Sequence, residues 1–242
     1  MASSWEKIKV GGKDMDLYVS LPGGSGRFPA VVVSQHGGGV DQFIRDTADR
    51  LAAEGYAAVA PDLFHRITED MLADGSRRFQ HLSDPDIIAD VNAAVDWLRH
   101  HRSIDGDRLG VTGFCMGGRV TWLAAATNPH FKAAVPHYGG NIMTPLGKAT
   151  RSPFELTSGI KCPILFHFGA IDQNPSQADM AKLDAELKRL NKPHQFYTYQ
   201  GANHAFMDHT NAERYNKAAV DTSWPRTLEF FATHLKRVPA KR

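Results

Sequence analysis

Cysteine is scarce in this chain. Two cysteines, Cys115 and Cys162, occur in 242 residues, far apart and without a C-x-x-C spacing. This usage is typical of a reducing compartment and excludes a disulfide framework as the basis of the fold. We therefore expect a cytoplasmic protein whose core is held by packing.

Long hydrophobic runs are missing. No stretch of about 18 apolar residues occurs, and the first ten residues, MASSWEKIKV, lack the apolar segment of a signal peptide. Both absences argue against a membrane protein.

Neither sign of charge dominates. Lys and Arg number 28 and Asp and Glu 26, a formal net charge of +2, and no basic run occurs apart from the tail 236–242. A nucleic-acid groove needs a basic stripe, so a nucleic-acid partner is excluded.

The twelve histidines show no H-x-x-x-H with a nearby acid, and His204 and His209 do not share a helix face, so we expect no metal.

What the sequence does contain is an alternation of two hydrophobic periods along its whole length. We predict strands at 6–10, 15–20, 30–34, 57–60, 108–112, 132–136, 162–168 and 195–199. We predict helices at 42–54, 85–101, 117–127, 177–190 and, for the most part, 211–235. Such alternation favours one α/β domain over 1–242, with a mainly parallel central sheet and helices on both faces.

Residues 62–85 interrupt the alternation with a polar, irregular stretch. This is long for a connection in a compact domain and favours a lid or substrate loop.

One cysteine occupies a special place in the pattern. Cys115 follows a predicted strand and precedes a predicted helix, within GFCMGG. Small residues on both sides are needed where a nucleophile lies on a tight strand-to-helix turn, and the helix amino terminus favours a thiolate. The alternative is a buried cysteine that packs as a small hydrophobic residue, which we expect of Cys162.

Two further residues complete a possible catalytic triad. Asp172 in GAIDQNPS and His204 in GANHAFMD each lie on a loop after a predicted strand. The order nucleophile, acid, histidine is that of an α/β-hydrolase. Taken singly, Asp172 could cap a turn and His204 could be an ordinary loop histidine.

A glycine run follows the third predicted strand, in SQHGGGVDQF. Its backbone N–H groups are free to turn toward a reacting carbonyl oxygen, so Gly37 and Met116 are the candidate oxyanion hole. The alternative is a flexible glycine turn.

These motifs, together with AEGYAAVAPDLF and TLEFFATHL, make the chain resemble the dienelactone hydrolase family along nearly its full length. The resemblance implies an α/β-hydrolase fold, a Cys115, Asp172 and His204 triad, no cofactor, and hydrolysis of a lactone or carboxylic ester through an acyl-thioester intermediate.

The chain also departs from that family. Family members usually carry a glutamate where His36 stands. That glutamate is credited with holding the resting thiol neutral and with taking its proton when substrate arrives. Members also usually carry an arginine where Asp208 stands. His36 is therefore an auxiliary candidate, and the carboxylate at Asp208 predicts a substrate less anionic than dienelactone. Arg77 or Arg78, and of these Arg78 in particular, is the remaining candidate cation. Tyr138 matches an aromatic position of the family and is expected to line the pocket, with His137 a weaker candidate.

Two other classes of function remain open from the residues alone. One is a small-molecule-binding protein without turnover. The other is a redox-responsive thiol protein, although no resolving cysteine is evident. We expect a monomer or a small homo-oligomer.

Overall fold

The computed structural model describes residues 1–236, so most of the basic tail lies outside the described residues. Its centre is an eight-stranded sheet. The strands are β1 (Ala2–Val10), β2 (Lys13–Leu21), β3 (Phe28–Ser34), β4 (Ala57–Pro61), β5 (Ile104–Phe114), β6 (Phe131–His137), β7 (Ile164–Gly169) and β8 (His194–Tyr199). The helices are α1 (Gln42–Ala53), α2 (Asp84–His100), α3 (Met116–Thr127), α4 (Gln177–Arg189) and α5 (Lys217–Leu235).

The strands lie in the order β1-β2-β4-β3-β5-β6-β7-β8. The pairs β1/β2 and β2/β4 are antiparallel, and every pair from β4/β3 to β7/β8 is parallel. The predicted hairpin at Gly11 and Gly12 is present, and both glycines have the positive φ that the turn requires, +57° and +81°. The mainly parallel α/β architecture is confirmed.

The core lies on both faces of the sheet because the central strands are apolar in both directions. On β3, Val31 and Val33 pack against α1 and α5, whereas Ala30 and Val32 pack toward α2 and α3. Each large aliphatic side chain buried in this way contributes about 1.5–3 kcal/mol. Packing on two faces is what a continuous β-branched strand indicates.

Two predicted segments differ from the structure. The last helix begins at Lys217 rather than 211, because Asn216 accepts a hydrogen bond from the Ala219 N–H at 3.0 Å and caps it. The segment 62–85 is not uniformly irregular: it forms short 3-10 turns at Glu69–Leu72 and Arg78–His81. Within residues 1–236, no helix is both long enough and apolar enough to cross a membrane.

The topology brings the candidate residues to one edge of the sheet. His36, Cys115, Tyr138, Asp172 and His204 follow β3, β5, β6, β7 and β8, which are consecutive parallel strands. Their carboxyl ends therefore meet, as expected where open α/β sheets place their sites.

Candidate active site

Cys115 occupies a strained turn between β5 and α3. Its φ is 57° and its ψ is −118°, a conformation that a residue with a side chain rarely adopts. Two backbone hydrogen bonds hold the turn, from Cys115 N to His137 O at 3.1 Å and from Gly118 N to Cys115 O at 2.9 Å. The turn therefore presents the thiol at the end of the sheet, as the sequence predicts for a nucleophile.

The glycines around Cys115 are required by close backbone approach. A Cβ on Gly117 would lie closer than 3.0 Å to the carbonyl oxygens of Ser34 and Gln35, and one on Gly113 would meet the Gly117 carbonyl equally closely. The elbow is thus packed directly against the end of β3.

Asp172 and His204 meet the cysteine as one unit. The Nδ1 of His204 lies 3.0 Å from Oδ2 of Asp172, and His204 and Cys115 line the same cleft, close enough for each to shift the pKa of the other. The Asp172 side chain is 2% exposed and that of His204 22%. The remaining oxygen of Asp172 accepts the Asn174 N–H at 2.8 Å, which fixes the carboxylate.

The charges and hydrogen bonds around Cys115 and His204 favour a thiolate and an imidazolium. Burial opposes charge on His204, but hydrogen bonds to Asp172 and Cys115 and their negative charges outweigh it and raise its pKa to about 9. Burial likewise raises the pKa of a thiol. At Cys115 the hydrogen bond and charge of His204, the Met116 N–H and the charge of His36 together lower the pKa below its ordinary value. A thiolate beside an imidazolium is a competent nucleophile.

A cleft of about 610 Å³ opens above Cys115, and Gly37, Met116, His36 and His204 are among the residues that line it. The Met116 N–H contributes to the lowered pKa of the Cys115 thiol. Gly37 and Met116 thus border the space in front of the thiol, where an oxyanion hole would be needed.

The long loop 62–85 contributes to one wall of the cleft. Arg77 and Phe79 are part of the lining. Arg78 forms an ion pair with Glu69 at 3.3 Å, and its side chain is half-exposed. Among the described residues 1–236, it is not part of the cleft lining. Of the two adjacent arginines, the structure therefore places Arg77, not Arg78, where a bound molecule would meet it.

His36 lies at the start of the glycine loop and is half-buried. Its Nε2 is 2.7 Å from Oδ2 of Asp41, the residue that caps α1. Burial lowers the pKa of His36, but the hydrogen bond to Asp41 and the charges of Asp41, Asp208 and Cys115 outweigh it, so the net shift is upward.

Tyr138 and His137 lie beneath the cleft rather than in its lining. Tyr138 is 1% exposed, and its ring packs edge-on against His204 with centroids 5.3 Å apart. His137 is fully buried and stacks on Phe114, the residue before the nucleophile, at 4.7 Å. The expected pocket-lining role of Tyr138 is thus corrected: β6 ends one layer below the cleft, and Tyr138 supports His204 from there.

Sequence reasoning did not identify the ion pair that braces the elbow. Arg119 on α3 binds both carboxylate oxygens of Asp84, at 2.5 and 2.9 Å, and each side chain is 2% exposed. Arg119 also donates to the carbonyls of Asn141 and Thr144, and thereby holds the loop that forms another wall of the cleft. Sequence reasoning also did not identify Asp41, the partner of His36, or Arg214, which lines the cleft together with Arg77 and Arg119.

A local signal existed for only one of these residues. Asp41 stands just before an amphipathic segment, which is a typical N-cap pattern.

Within residues 1–236, no group of three or more His, Cys, Asp or Glu side chains is arranged to hold a metal ion.

The mainly parallel sheet, with Cys115, Asp172 and His204 after β5, β7 and β8, has the architecture of an α/β-hydrolase. Solved α/β-hydrolase structures with little sequence similarity share this fold, among them an acylaminoacyl peptidase of Pyrococcus horikoshii (TM-score 0.78, 17% identity, 100% of this chain and 43% of that chain). The chain belongs to the dienelactone hydrolase family, whose model matches residues 15–235. It is therefore a hydrolase.

Relatives are similar over nearly the whole chain. A Salmonella typhimurium protein named "Putative carboxymethylenebutenolidase" is 34% identical over 232 residues, which cover 92% of this chain and 84% of the relative. A Bradyrhizobium protein named "Probable 2-oxo-3-(5-oxofuran-2-ylidene)propanoate lactonase" is 31% identical, with 97% and 96% covered. The crystal structure of a dienelactone hydrolase homologue from Klebsiella pneumoniae has a TM-score of 0.84 and 33% identity, with 96% and 98% covered.

Proposed function

We propose that this protein hydrolyses carboxylic esters or lactones through Cys115 as nucleophile. The observation that carries the proposal is the hydrogen bond of His204 to the buried Asp172, with Cys115 and His204 lining one open cleft. The family assignment and the names of relatives as butenolidase and lactonase support the same substrate class.

The first half of the reaction forms an acyl-enzyme. The Cys115 thiolate attacks the acyl carbon, and the carbonyl electrons move to oxygen, where the Gly37 and Met116 N–H groups stabilise the oxyanion. When the tetrahedral intermediate collapses, the C–O bond breaks and the leaving alkoxide takes the proton from His204. A lactone opens its ring at this step, and its alkoxide stays attached to the acyl group.

The second half regenerates the enzyme. Neutral His204, oriented by Asp172, takes a proton from water, and the resulting hydroxide attacks the thioester. The C–S bond then breaks, and Cys115 leaves as a thiolate beside the imidazolium. Water is the only co-reactant.

We further propose that 62–85 acts as a substrate loop. Arg77 and Phe79 of this loop line the cleft beside Cys115, so movement of the segment would change access to the thiol. A cytoplasmic location, a single domain over 1–242 and a monomeric or small homo-oligomeric state remain predictions from the sequence.

Turnover of matched neutral and anionic esters and lactones, dienelactone included, tests the proposal. The enzyme is compared with Cys115→Ala and with Cys162→Ala, because Cys162 is the second free cysteine and lies in the core. We expect activity to vanish in the first variant and persist in the second.

Other outcomes would support the other functional classes. Saturable binding without product would favour a binding protein. Reversible sulfenic-acid formation at Cys115 without turnover would favour a redox-responsive thiol. Activity that survives Cys115→Ala would refute the mechanism.

A further inference from the structure

The two departures from the family pattern fall in the same cleft. His36 and Asp208 both belong to its lining, one after β3 and the other in the loop that follows His204. The cleft thus holds a basic ring and a carboxylate from two separate loops, in addition to Cys115 and His204.

The His36 ring is held in a defined orientation. Asp41 binds its Nε2 at 2.7 Å with one carboxylate oxygen and accepts the Ile44 N–H at 3.2 Å with the other. The ring also packs edge-on against Phe43, with centroids 5.8 Å apart. Gly38 leaves room for the ring, because a Cβ there would lie 2.9 Å from its Cε1 and Nε2.

Asp208 is held as firmly as His36. Its carboxylate is buried, and Oδ1 accepts the Thr210 N–H at 3.0 Å and the Thr210 hydroxyl at 2.6 Å. Both bonds donate to the same carboxylate oxygen and so hold the side chain in one orientation. A fixed negative charge therefore stands in the cleft that His36 and Cys115 share.

The charged groups that act on His36 come from three elements. They are Asp41 from the start of α1, Asp208 from the loop after β8 and Cys115 from the elbow, and all three favour a protonated ring. Cations also face this cluster: Arg45 acts on Asp41, and His204, Arg77, Arg119 and Arg214 line the same cleft, with Arg119 paired to Asp84. The carboxylates of Asp41 and Asp208 thus both favour a protonated His36 ring.

We propose that Asp41 and Asp208 are positioning residues that keep His36 protonated beside Cys115, so that the nucleophile rests as a thiolate flanked by two imidazolium groups, His36 and His204. The proposal rests on Cys115 as the nucleophile of the proposed function. In this arrangement the positive charge of His36 balances the negative charge of Asp208, so the Asp208 carboxylate does not act on the substrate alone. The thiol then needs no substrate carboxylate to become reactive.

The rate at which iodoacetamide alkylates Cys115 tests this without any substrate. The experiment uses a Cys162→Ala background and compares Asp208→Asn, His36→Gln and Asp208→Glu over a range of pH. Asp46→Asn is the matched control, since it removes the acid of an exposed His–Asp pair, Asp46 and His209, at 2.9 Å.

Asp208→Asn separates two mechanisms by the sign of its effect. If Asp208 supports His36, the variant weakens the cation beside the sulfur, and alkylation at pH 6 slows by about threefold. If Asp208 only repels the thiolate, the variant speeds alkylation. We expect His36→Gln to slow the reaction similarly and the double variant to slow it no further, because both changes remove one interaction. We expect Asp208→Glu and Asp46→Asn to keep the wild-type rate.

An unchanged or faster rate in Asp208→Asn would overturn the proposal, as would strictly additive effects in the double variant. If Asp208→Asn fails to fold, Asp41→Asn replaces it with the same expected sign. Because alkylation requires no turnover, a protein that shows this pattern but hydrolyses nothing would disprove the proposed function and leave the paired charges standing.

Discussion

The Nδ1 of His204 lies 3.0 Å from Oδ2 of Asp172, although 32 residues separate them in the chain. The bond orients the imidazole in the cleft that Cys115 also lines. Asp172→Asn would keep the shape of the contact but favour the wrong tautomer. We expect kcat/KM for a simple ester to fall by about 10²- to 10⁴-fold, with little loss of stability.

The control for Asp172→Asn is Asp96→Asn, which removes one exposed carboxylate from α2. Its kcat/KM should match wild type. A loss of less than threefold in Asp172→Asn would show that His204 does not depend on Asp172 for catalysis.

A second prediction concerns thiol reactivity and its pH dependence. Burial raises the pKa of Cys162 to about 12, whereas the pKa of Cys115 is lowered and that of His204 is raised to about 9. The ion pair therefore exists between the lowered thiol pKa and about pH 9, and no proton is gained or lost inside that window. Peptide mapping after iodoacetamide treatment at pH 7 should find Cys115 alkylated and Cys162 unmodified.

The pH profile of that alkylation distinguishes a paired thiolate from an ordinary thiol. In the wild type the rate should rise at a lower pH than that of an ordinary thiol and change again near pH 9, when His204 loses its proton. In His204→Gln the thiolate loses one of its two neighbouring cations, so the rate should fall at pH 7 and rise only at higher pH. Identical profiles for the two proteins would rule out the ion pair.

The buried Arg119–Asp84 pair gives a prediction for stability. Arg119→Met leaves the Asp84 carboxylate charged, 2% exposed and without its cation, which costs about 3–5 kcal/mol. Lys188→Met, which breaks the exposed pair with Asp184, should cost less than about 0.5 kcal/mol. Urea denaturation measures both; equal effects would mean that the buried pair adds nothing beyond surface attraction.

The glycines of the elbow can be tested against one that the structure leaves unconstrained. Gly117→Ala forces a Cβ against the backbone oxygens of Ser34 and Gln35, so we expect a loss of several degrees in Tm or failure to fold. Gly37→Ala meets no atom within 4 Å, and we expect its Tm to stay near wild type. A Gly117→Ala protein with the Tm of the wild type would show that α3 can move away from β3 without loss of stability.

Local signals explain why much of the site follows from the sequence. Cys115, Asp172 and His204 each follow a segment whose pattern predicts a strand, and parallel strands place their carboxyl ends together. The Arg119–Asp84 pair has no such signal, because its partners are 35 residues apart and meet only through packing of α2 on α3. The choice between Arg77 and Arg78 depends on one 3-10 turn that begins between them, which hydrophobic periodicity does not resolve.

The two adjacent arginines of the loop 62–85 provide the last prediction. Arg77 lines the cleft, as does Arg214, whereas Arg78 pairs with Glu69. If Arg77 meets the substrate, Arg77→Gln should raise KM for an anionic ester by about tenfold, equivalent to one charge-assisted contact, and leave KM for the matched neutral ester unchanged. Arg78→Gln is the control, with the same change of charge one residue away. Equal effects of the two variants would mean that Arg77 acts only through the net charge of the loop, and an effect on both esters would mean that it shapes the wall of the cleft.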